Sequence, residues 1–398
     1  MADNAAPAND IVLKPHEEKR LLGAAGHPWV FSNEVAKPAE LKDSTLVGVR
    51  SSTGAFVGMA LYNPHSLIAA RLITHEPLLI DRAFWRKKLT TAWMLRQNYY
   101  PQETAYRWVF GESDGIPGLI ADRYGEHIVC EILSKPLETF WPEIMAAMLE
   151  VFPARSITLK HDNALRRLEG LETPPEPVTA HGEPPQGPLT VMIDGLQMQI
   201  DCQHGQKTGF YLDSRDNRAL LTAYAKGRRV LDVFSYTGAF SLSLLKAGAA
   251  SALAVDSSMK ALETCEAQAA ANGFAEKLDC LKADAEEYLQ QGAGEFDLVL
   301  IDPPNICPGK KDKPMALKKL SRLIEAALRR TGKGGLTAVS VCSHHISLDE
   351  TLEAAASATL RLGRAARHLA TGQQAKDHPI LIGMPETRYL KFILLERM

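Results

Sequence analysis

The regular alternation of strand-like and helix-like segments after Arg228 constrains the fold more than any other feature of this sequence. Five apolar runs, "RRVLDVF", "SALAVD", "KLDCLKAD", "FDLVLID" and "GGLTAVSVC", alternate with helical segments that begin near Gly238, Met259, Ala285, Met315 and Ser347. Such units in series predict a doubly wound parallel α/β sheet with helices on both faces. Ligands bind these sheets at the carboxyl ends of the strands, so the residues that end each run form the candidate site.

Acidic residues stand at successive strand ends. With one glycine they form an ordered set, Asp232, Gly238, Asp256, Asp284 and Asp302. A carboxylate at Asp256 can accept two ribose hydroxyls, and Asp284 can reach an adenine amino group or simply cap a helix. The loop "LDVFSYTGAFS" supplies only Gly238 and lacks the second glycine of a pyrophosphate-binding fingerprint. S-adenosylmethionine, which has ribose and adenine but no phosphate, therefore fits better than a dinucleotide.

The fourth strand ends in "IDPPN", Asp302 to Asn305. Two prolines after a carboxylate hold a rigid, extended turn, which can present Asp302 and nearby main-chain carbonyls to a planar substrate. An aromatic residue usually follows when such an element serves methylation of an exocyclic amine. Asn305 follows here, so methylation of an amine loses support.

The N-terminal half predicts two further domains and a linker. Residues 1–75 contain the short β-like runs "TLVGVRSS", "AFVGMALY" and "LIAARLI", typical of a small β-barrel. Residues 76–188 begin with an amphipathic helix capped by Asp81, and a second helical stretch near 141–151 lies between strand-like "IVCEIL" and "SITLK", which predicts an α+β domain. Six prolines between Thr173 and Leu189 predict an extended linker. A hairpin turning at Asp194-Gly195 then opens the domain formed by residues 189–398.

Composition excludes several other classes of protein. Hydrophobic residues make up 45% and charged residues 23% of the 398, and no apolar run approaches the ~20 residues of a membrane span. The start "MADNAAPANDIVL" predicts a flexible leader and no secretion signal, so we expect a cytoplasmic protein without a membrane partner. The six cysteines include no C-x-x-C pair, so neither a disulfide framework nor a metal site is expected. The net charge of −2 does not by itself indicate a nucleic-acid partner.

Several long motifs occur in order along nearly the whole chain. They are "HPWVFSNEV" (27–35), "GESDGIPGLIADRYG" (111–125), "HGQKTGFYLDSRDNR" (204–218), "LDVFSYTGAFS", "IDPP", "VCS" and "DHP" (377–379). In these motifs the sequence resembles the PUA-domain class I methyltransferases that use S-adenosylmethionine to form 5-methylcytosine in 23S ribosomal RNA. The resemblance implies an RNA-binding PUA domain in 1–75, a central α+β domain in 76–188 and a methyltransferase domain in 189–398. It also implies ribosomal RNA of the large subunit as partner, and it leaves the oligomeric state open, a homodimer included.

The resemblance assigns roles to individual residues. Those implied to bind the cofactor are Lys207, Thr208, Phe210, Tyr211, Phe234, Tyr236, Thr237, Gly238, Asp256, Ser257, Asp284 and Asp302. Those implied to bind the substrate base are Pro303, Pro304 and Asn305, with Asp302 holding the cytosine edge. Cys342, in "VSVCSHH", is implied to be the nucleophile.

The chemistry of cytosine C5 explains why a cysteine is expected. C5 is a poor nucleophile, but addition of a thiolate to C6 turns it into an enamine-like carbon that can attack an electrophilic methyl group. A base then removes the C5 proton and the thiolate leaves. Cys342 and Asp302 are therefore the candidate catalytic residues. His344 or His345 is a candidate base, and Cys307 is a weaker candidate for assisting product release.

The substrate side departs from the family pattern. Val341 stands before Cys342 where the family usually has serine, His344-His345 follow Ser343, and Asn305-Ile306 replaces a Lys-Phe pair. Two alternatives therefore stay open, namely methylation of another ribosomal RNA position such as guanine N7, and an inert RNA-binding protein of the same fold. A nicotinamide dehydrogenase is the weakest alternative because the required glycines are missing.

Overall fold

The structure is a computed structural model that describes residues 10–21, 23, 25–38 and 45–398. The chain divides into two compact units. Unit 1 extends to Val191 and adds Ile200–Leu212 and Lys376–Thr387, whereas unit 2 comprises Met192–Gln199, Asp213–Ala375 and Arg388–Met398. The "DHP" element therefore lies in unit 1, as does the "HGQKTGFYLDSRDNR" motif up to Leu212. The predicted domain boundaries after residues 75 and 188 stay a prediction.

A six-stranded sheet forms the N-terminal part of unit 1. Its strands are β1 (Asp10–Leu13), β2 (Trp29–Val30), β3 (Val35–Lys37), β4 (Thr45–Arg50), β5 (Phe56–Tyr62) and β6 (Ala70–Thr74). They lie in the order β2-β6-β5-β4-β1-β3, and the three predicted strands are β4, β5 and β6. The predicted leader falls partly on residues 1–9, which lie outside the described residues. It is wrong for 10–13, because Ile11 and Leu13 are fully buried in the core of this sheet.

The rest of unit 1 has the predicted α+β composition. Its elements are α1 (Arg82–Tyr99), β7 (Ala105–Phe110), β8 (Leu119–Tyr124), β9 (His127–Ile132), α2 (Lys135–Val151), β10 (Ser156–Leu159) and β11 (Val178–Gly182). The strands form one sheet in the order β11-β10-β9-β8-β7. Met59, Leu61 and Ile73 of the N-terminal sheet pack into the core that this sheet shares with α1 and α2. The two sheets of unit 1 are therefore joined through apolar side chains.

Helix α1 follows its sequence pattern closely. The Asp81 side chain accepts a hydrogen bond from the amide of Phe84, 2.9 Å away, and so caps the helix as predicted. Trp85, Leu89 and Ala92 are buried at helical spacing. On the opposite face, exposed Arg82 forms a salt bridge with Glu143 of α2, 3.1 Å away. The charge of Arg82 is thus paired within the protein.

Three details of unit 1 differ from the prediction. Helix α2 begins at Lys135, six residues before the predicted start. Pro136 is tolerated in the first turn because the main-chain N–H that proline lacks would have no intrahelical acceptor there. Strands β7 and β8 were missed because Arg107 and Asp122 interrupt their apolar runs, although the two side chains form a buried ion pair at 2.5 Å. The proline-rich segment is not wholly irregular, since its proline-free stretch Val178–Gly182 pairs with β10.

The predicted hairpin consists of β12 (Leu189–Ile193) and β13 (Leu196–Ile200). Its turn residues both have positive φ, 53° at Asp194 and 70° at Gly195. Two such residues form the turn type whose twist matches paired strands. The hairpin is confirmed.

Unit 2 contains the predicted α/β sheet. Its elements are α3 (Arg215–Thr222), β14 (Arg229–Val233), α4 (Ala239–Lys246), β15 (Ser251–Asp256), α5 (Met259–Ala271), β16 (Leu278–Lys282), α6 (Ala285–Gln291), β17 (Phe296–Ile301), α7 (Lys313–Arg330), β18 (Thr331–Cys342), α8 (Leu348–Leu362), β19 (Ala366–Gln373) and β20 (Leu390–Arg397). The sheet order is β16-β15-β14-β17-β18-β20-β19, and the first five strands run parallel. The five predicted units are confirmed. The antiparallel pair β19–β20 extends them, with β20 bonded to β18.

Residues of β14 show that helices cover both faces. Leu231 and Val233 belong to a core formed with α6, α7 and α8. Asp232 lies between them and points to the other face, where it bonds to Ser241 of α4. None of the described helices is long and apolar enough to cross a membrane.

Candidate active site

The carboxyl ends of the five parallel strands place the predicted residues along one edge of unit 2. Following the sheet order, these are Asp284 after β16, Asp256 at the end of β15, the loop 234–238 after β14, Asp302 after β17 and Cys342 at the end of β18. Within unit 2 the residues predicted for the cofactor alone therefore occupy one half of the edge, which we call the cofactor half. Asp302, predicted for both cofactor and substrate, lies in the other half with the residues predicted for the substrate, which we call the substrate half. Lys207, Thr208, Phe210 and Tyr211 belong to unit 1.

The loop after β14 has an unusual backbone. Phe234, Tyr236 and Gly238 have φ values of 64°, 49° and 76°. Aromatic residues rarely adopt this region, and such strain persists only where surrounding contacts impose it, often at functional sites. The Ser235 amide donates to the carbonyl of Val255 at 3.1 Å and fixes the loop against β15. Contacts with the rest of the sheet therefore hold this loop in a strained backbone conformation.

Gly238 allows the loop to approach helix α5. A Cβ atom at this position would lie 2.1 Å from the Sγ of Cys265, which is fully buried. Close by, the Gln268 side chain donates to the carbonyl of Thr237 at 2.6 Å. Glycine is thus required for both its φ and its lack of a side chain.

Asp256 is oriented by two main-chain amides. Its Oδ2 accepts from Tyr236 and its Oδ1 from Ser258, each at 2.9 Å. A carboxylate has about four lone-pair sites, so two further hydroxyls can be accepted. Ser257 beside it is exposed. This geometry fits a ribose, although the ribose contact itself stays a prediction.

Asp284 is a helix cap. Its Oδ1 accepts from the Glu287 amide at 2.9 Å, and the residue is exposed. The capping role, one of two readings of the sequence, is therefore present. It does not use the second carboxylate oxygen, so the adenine contact remains a prediction.

Asp232 lies beneath the loop and is 1% exposed. Its Oδ2 accepts from the amide and the hydroxyl of Ser241, at 3.1 and 2.7 Å. Its Oδ1 is buried without a hydrogen-bond partner among the described residues. Burial, reinforced by Asp302 and Asp256, raises the pKa of Asp232 to about 7. The sequence placed Asp232 in the strand-end set but gave it no contact.

Two loops meet at the substrate half of the edge. The amide of Asp302 donates to the carbonyl of Val233 at 3.3 Å, which ties the D-P-P turn to the cofactor half. Pro303 is buried, whereas Pro304 and Asn305 are exposed. The Asn305 side chain accepts from the amide of Cys307 at 3.0 Å and so stabilises the turn.

Ser343 connects this turn to the end of β18. Its hydroxyl donates to the carbonyl of Cys307 at 3.2 Å and is itself buried. Cys342, the residue before it, is half-buried. Cys307 is 1% exposed and its thiol bonds to the carbonyl of Gly309, which fits an ordinary core cysteine. His344 is exposed, with its ring centroid 5.7 Å from that of Tyr389.

The predicted cofactor segment of unit 1 has its own internal supports. The Thr208 side chain is fully buried, donates to Asp122 and lies 3.0 Å from the Tyr124 hydroxyl. The ammonium of Lys207 lies 4.3 Å from the ring centroid of Tyr211. Phe210 is buried. The Thr208 hydroxyl therefore already has partners in unit 1, and the cofactor role of these four residues stays a prediction.

Two lysines at these loops were missed from the sequence. Lys160 donates from its ammonium to the carbonyls of Gly205 and Lys207 and so holds the loop before Thr208. Lys391 donates to the carbonyl of Ser343, next to Cys342. The signal for Lys391 was available, because a lysine inside the apolar run "YLKFILLE" must be buried with a partner.

The polar groups of the cofactor half suit S-adenosylmethionine. The loop 234–238 presents main chain without a phosphate-binding glycine pair, Asp256 offers a carboxylate suited to a diol, and the Oδ1 of Asp232 lacks a partner. Across the described ranges no group of three or more His, Cys, Asp or Glu is placed to hold a metal ion.

Comparison with known families agrees with this reading. The profile of a family described as a PUA-like domain matches residues 11–75, and that of the S-adenosylmethionine-dependent methyltransferases matches residues 174–367. The expected cofactor is therefore confirmed at the level of the family. The PUA-like match covers the six-stranded sheet.

Curated relatives cover almost the entire chain. Ribosomal RNA large subunit methyltransferase I of Alteromonas mediterranea is 36% identical over an alignment of 401 residues, which covers 97% of this chain and 98% of that protein. The enzyme of the same name from Escherichia coli is 33% identical over an alignment of 396 residues, which covers 96% of this chain and 97% of that protein. A solved S-adenosylmethionine-dependent methyltransferase from Streptococcus mutans has a TM-score of 0.82 at 20% identity and covers 97% of this chain and 99% of its own, which supports the fold.

Proposed function

Because this chain belongs to the ribosomal RNA large subunit methyltransferase I family of S-adenosylmethionine-dependent enzymes, we propose that it methylates C5 of a cytosine in ribosomal RNA of the large subunit through a covalent bond between Cys342 and C6. The name of the relatives supports ribosomal RNA of the large subunit as the substrate. The choice of cytosine and the covalent adduct are inferred from the residues of the site. A cytoplasmic location, as the sequence suggested, agrees with this substrate.

The observation that carries the proposal is the position of Cys342 beside the D-P-P turn. Strands β17 and β18 are parallel neighbours with Ile301 opposite Val339, so Asp302 and Cys342 end adjacent strands. Their offset is two residues, roughly 7 Å along the strand direction. The bond from Ser343 to the carbonyl of Cys307 connects the two loops. A base held by Asp302 can therefore meet the thiol of Cys342 from the same edge.

Each residue has a defined chemical task in this proposal. Bound S-adenosylmethionine supplies an electrophilic methyl group. The Cys342 thiolate adds to C6, and the electron pair of the C5–C6 double bond moves to C5. Asp302 hydrogen-bonds the N3/N4 edge and stabilises the protonated ring. C5 then bonds to this methyl group while the electron pair of the sulfur–methyl bond stays with the sulfur. A base removes the C5 proton, the electron pair of the C5–H bond re-forms the C5–C6 double bond, and the thiolate leaves.

The test uses the purified full chain, labelled S-adenosylmethionine and ribosomal RNA without modifications. We expect labelled 5-methylcytosine, and we expect Cys342→Ala to lower the rate by roughly a thousandfold or more. Cys280→Ala, which removes a half-buried cysteine from β16, is the matched control and should retain activity. Full activity of Cys342→Ala would exclude the covalent mechanism and favour another position such as guanine N7, whose methylation needs no thiolate.

A modified RNA tests the adduct directly. Fluorine at C5 of the target cytosine cannot leave as a proton does, so the bond between Cys342 and C6 should persist. Mass spectrometry should then find the RNA attached to the peptide that contains Cys342. Attachment to another cysteine, or methylation without attachment, would contradict the proposal.

A further inference from the structure

Strand β20 buries a lysine at the substrate edge of the sheet. Lys391 is 6% exposed, and its neighbours Leu390 and Phe392 are buried as well. Lysine is almost never buried without a specific partner. The position of Lys391 therefore needs an explanation that packing does not give.

The pairing of β18 with β20 brings this lysine to the nucleophile's strand end. In the antiparallel register Val341 pairs with Lys391, and Cys342 pairs with Leu390. The ammonium of Lys391 donates to the carbonyl of Ser343 and, at 3.4 Å, to that of Tyr389. Both carbonyls lie where the two strands separate, immediately beyond Cys342. The side chain thus extends past its own strand position towards the carboxyl edge.

The charge of Lys391 lacks a close anionic partner. Within the described ranges no carboxylate lies within 4.0 Å of its ammonium. Burial lowers the pKa of Lys391 to about 8, so most molecules carry the charge at neutral pH. The thiolate of Cys342 and the carboxylate of Glu350 favour the charged form, whereas Arg388 and Lys313 oppose it. Glu350 is itself paired with Lys313 at 2.6 Å.

We propose that Lys391 is a positioning residue for Cys342: its ammonium stabilises the thiolate, and its hydrogen bond to Ser343 fixes the main chain from which the thiol projects. This inference rests on the proposed role of Cys342 as nucleophile. A nearby ammonium favours the thiolate over the neutral thiol because opposite charges attract strongly in a partly buried site.

The proton inventory of the step is simple. The thiol releases its proton to solvent before attack, and the thiolate then forms the bond to C6. Lys391 keeps its own proton throughout and neither gains nor loses a bond to the base. When the thiolate leaves at the end of the cycle, the same ammonium stabilises the returning negative charge. Lys391 thus assists both the attack and the departure.

The test measures the thiol without RNA or cofactor. Full-length protein is treated with iodoacetamide over a range of pH, and alkylation of the Cys342 peptide is followed by mass spectrometry, so that the five other cysteines do not interfere. In Lys391→Met, which keeps an unbranched side chain only one atom shorter and removes the charge, the midpoint of the rate should rise by about one pH unit. Alkylation of Cys342 at neutral pH should then be about tenfold slower.

Two further variants separate charge from structure. Lys391→Arg keeps a cation and should restore most of the alkylation rate, whereas Lys318→Met, at an exposed position of α7, should leave it unchanged. Thermal unfolding and S-adenosylmethionine binding verify that each variant is folded. An unchanged midpoint in folded Lys391→Met would overturn the inference. So would a loss in Lys391→Arg equal to that in Lys391→Met.

The activity assay distinguishes this inference from the proposed function. If Cys342→Ala is inactive and Lys391→Met shifts the alkylation midpoint, both stand. If Cys342→Ala is fully active, the nucleophile role fails, and the positioning role for that reaction fails with it even though the thiol titration is shifted. If Cys342→Ala is inactive but Lys391→Met alkylates normally, only the inference about Lys391 is wrong.

Discussion

The Sγ atom of Cys265 occupies the space in which a side chain at Gly238 would begin, 2.1 Å from the position of its Cβ. The helix α5 and the loop after β14 are therefore in contact without room for even a methyl group. Gly238 also has a φ of 76°. A side chain at this position would therefore be destabilising for two separate reasons, namely overlap with Cys265 and a strained left-handed backbone.

The first prediction compares two glycines with nearly the same φ. Gly273 has a φ of 75° and open space where its Cβ would be. We expect Gly273→Ala to lower the free energy of unfolding by about 1–2 kcal/mol, the cost of the left-handed conformation. Gly238→Ala should lower it by roughly 1–3 kcal/mol more because of overpacking. Urea unfolding measures the loss of stability in both variants. Equal losses would show that the Cys265 side chain moves aside without measurable cost.

Cofactor affinity should depend on the carboxylate of Asp256. In Asp256→Asn an amide donor faces one of the two main-chain amides that now orient the side chain, so the group turns and a ribose acceptor is lost. We expect S-adenosylmethionine to bind about 10- to 100-fold more weakly in calorimetry, the cost of a hydrogen bond to a charged group. Asp297→Asn, at the start of β17 and so at the opposite edge of the sheet, is the control. Unchanged affinity of Asp256→Asn would remove Asp256 from the cofactor site.

Asp232 should make stability depend on pH. Its pKa is raised to about 7 in the folded protein by burial, above the ordinary value of 3.8, so folding favours the protonated form. The protonated carboxyl contributes fully to the free energy of unfolding below pH 3.8. This contribution, at most about 4 kcal/mol, is lost as the pH rises through about 7. Denaturant unfolding of the cofactor-free protein should show less of this slope in Asp232→Asn. An identical slope would mean that the carboxylate is not desolvated as the structure implies.

The ion pair between Arg71 and Glu169 should be essential to unit 1. The side chains are 6% and 4% exposed, and Glu169 also accepts from Ser66 and Asn63. Burial by itself would raise the pKa of Glu169, but Arg71 and these hydrogen bonds hold it below 4.5. Glu169→Gln should cost about 3–5 kcal/mol of unfolding free energy at neutral pH, since it leaves the buried Arg71 with only the longer contact to Glu112, 3.8 Å away.

The comparison for that ion pair is Glu143→Gln, which breaks an exposed salt bridge with Arg82. A change below about 1 kcal/mol is expected there. In the wild-type protein, the contribution of Glu169 to the free energy of unfolding should be lost as the pH falls from 4.5 through the lowered pKa of this carboxyl group. If both variants were equally stable, burial of the Arg71 pair would contribute nothing net.

The sequence predicts the strand ends well because their geometry follows from topology. Once five parallel strands were inferred, Asp256, Asp302 and Cys342 had to reach one edge. The order of those ends along the edge needed the sheet order. The hairpin at Asp194-Gly195 was equally readable, since its turn type demands residues that tolerate positive φ.

Long-range polar contacts were not readable. Arg107 and Asp122 look like surface residues until the fold pairs them, and so two strands were missed. Lys391 meets Ser343 across 48 residues through a strand that reverses the sheet direction, and no local pattern predicts that pairing. The positive φ of Phe234 and Tyr236 likewise depends on contacts with β15 and α5, which periodicity does not reveal.

The position of β20 has a consequence for how the protein is made. β20 lies between β18 and β19, although it follows both in the chain, and it carries Lys391. On a translating ribosome the preceding strands emerge first, so β18 would expose an unpaired edge until β20 arrives. Synthesis that pauses before residue 390 would leave β19 without its partner. The nucleophile's strand would then be formed while its buried cation is still missing, so the substrate edge of the sheet is complete only after β20 has been made.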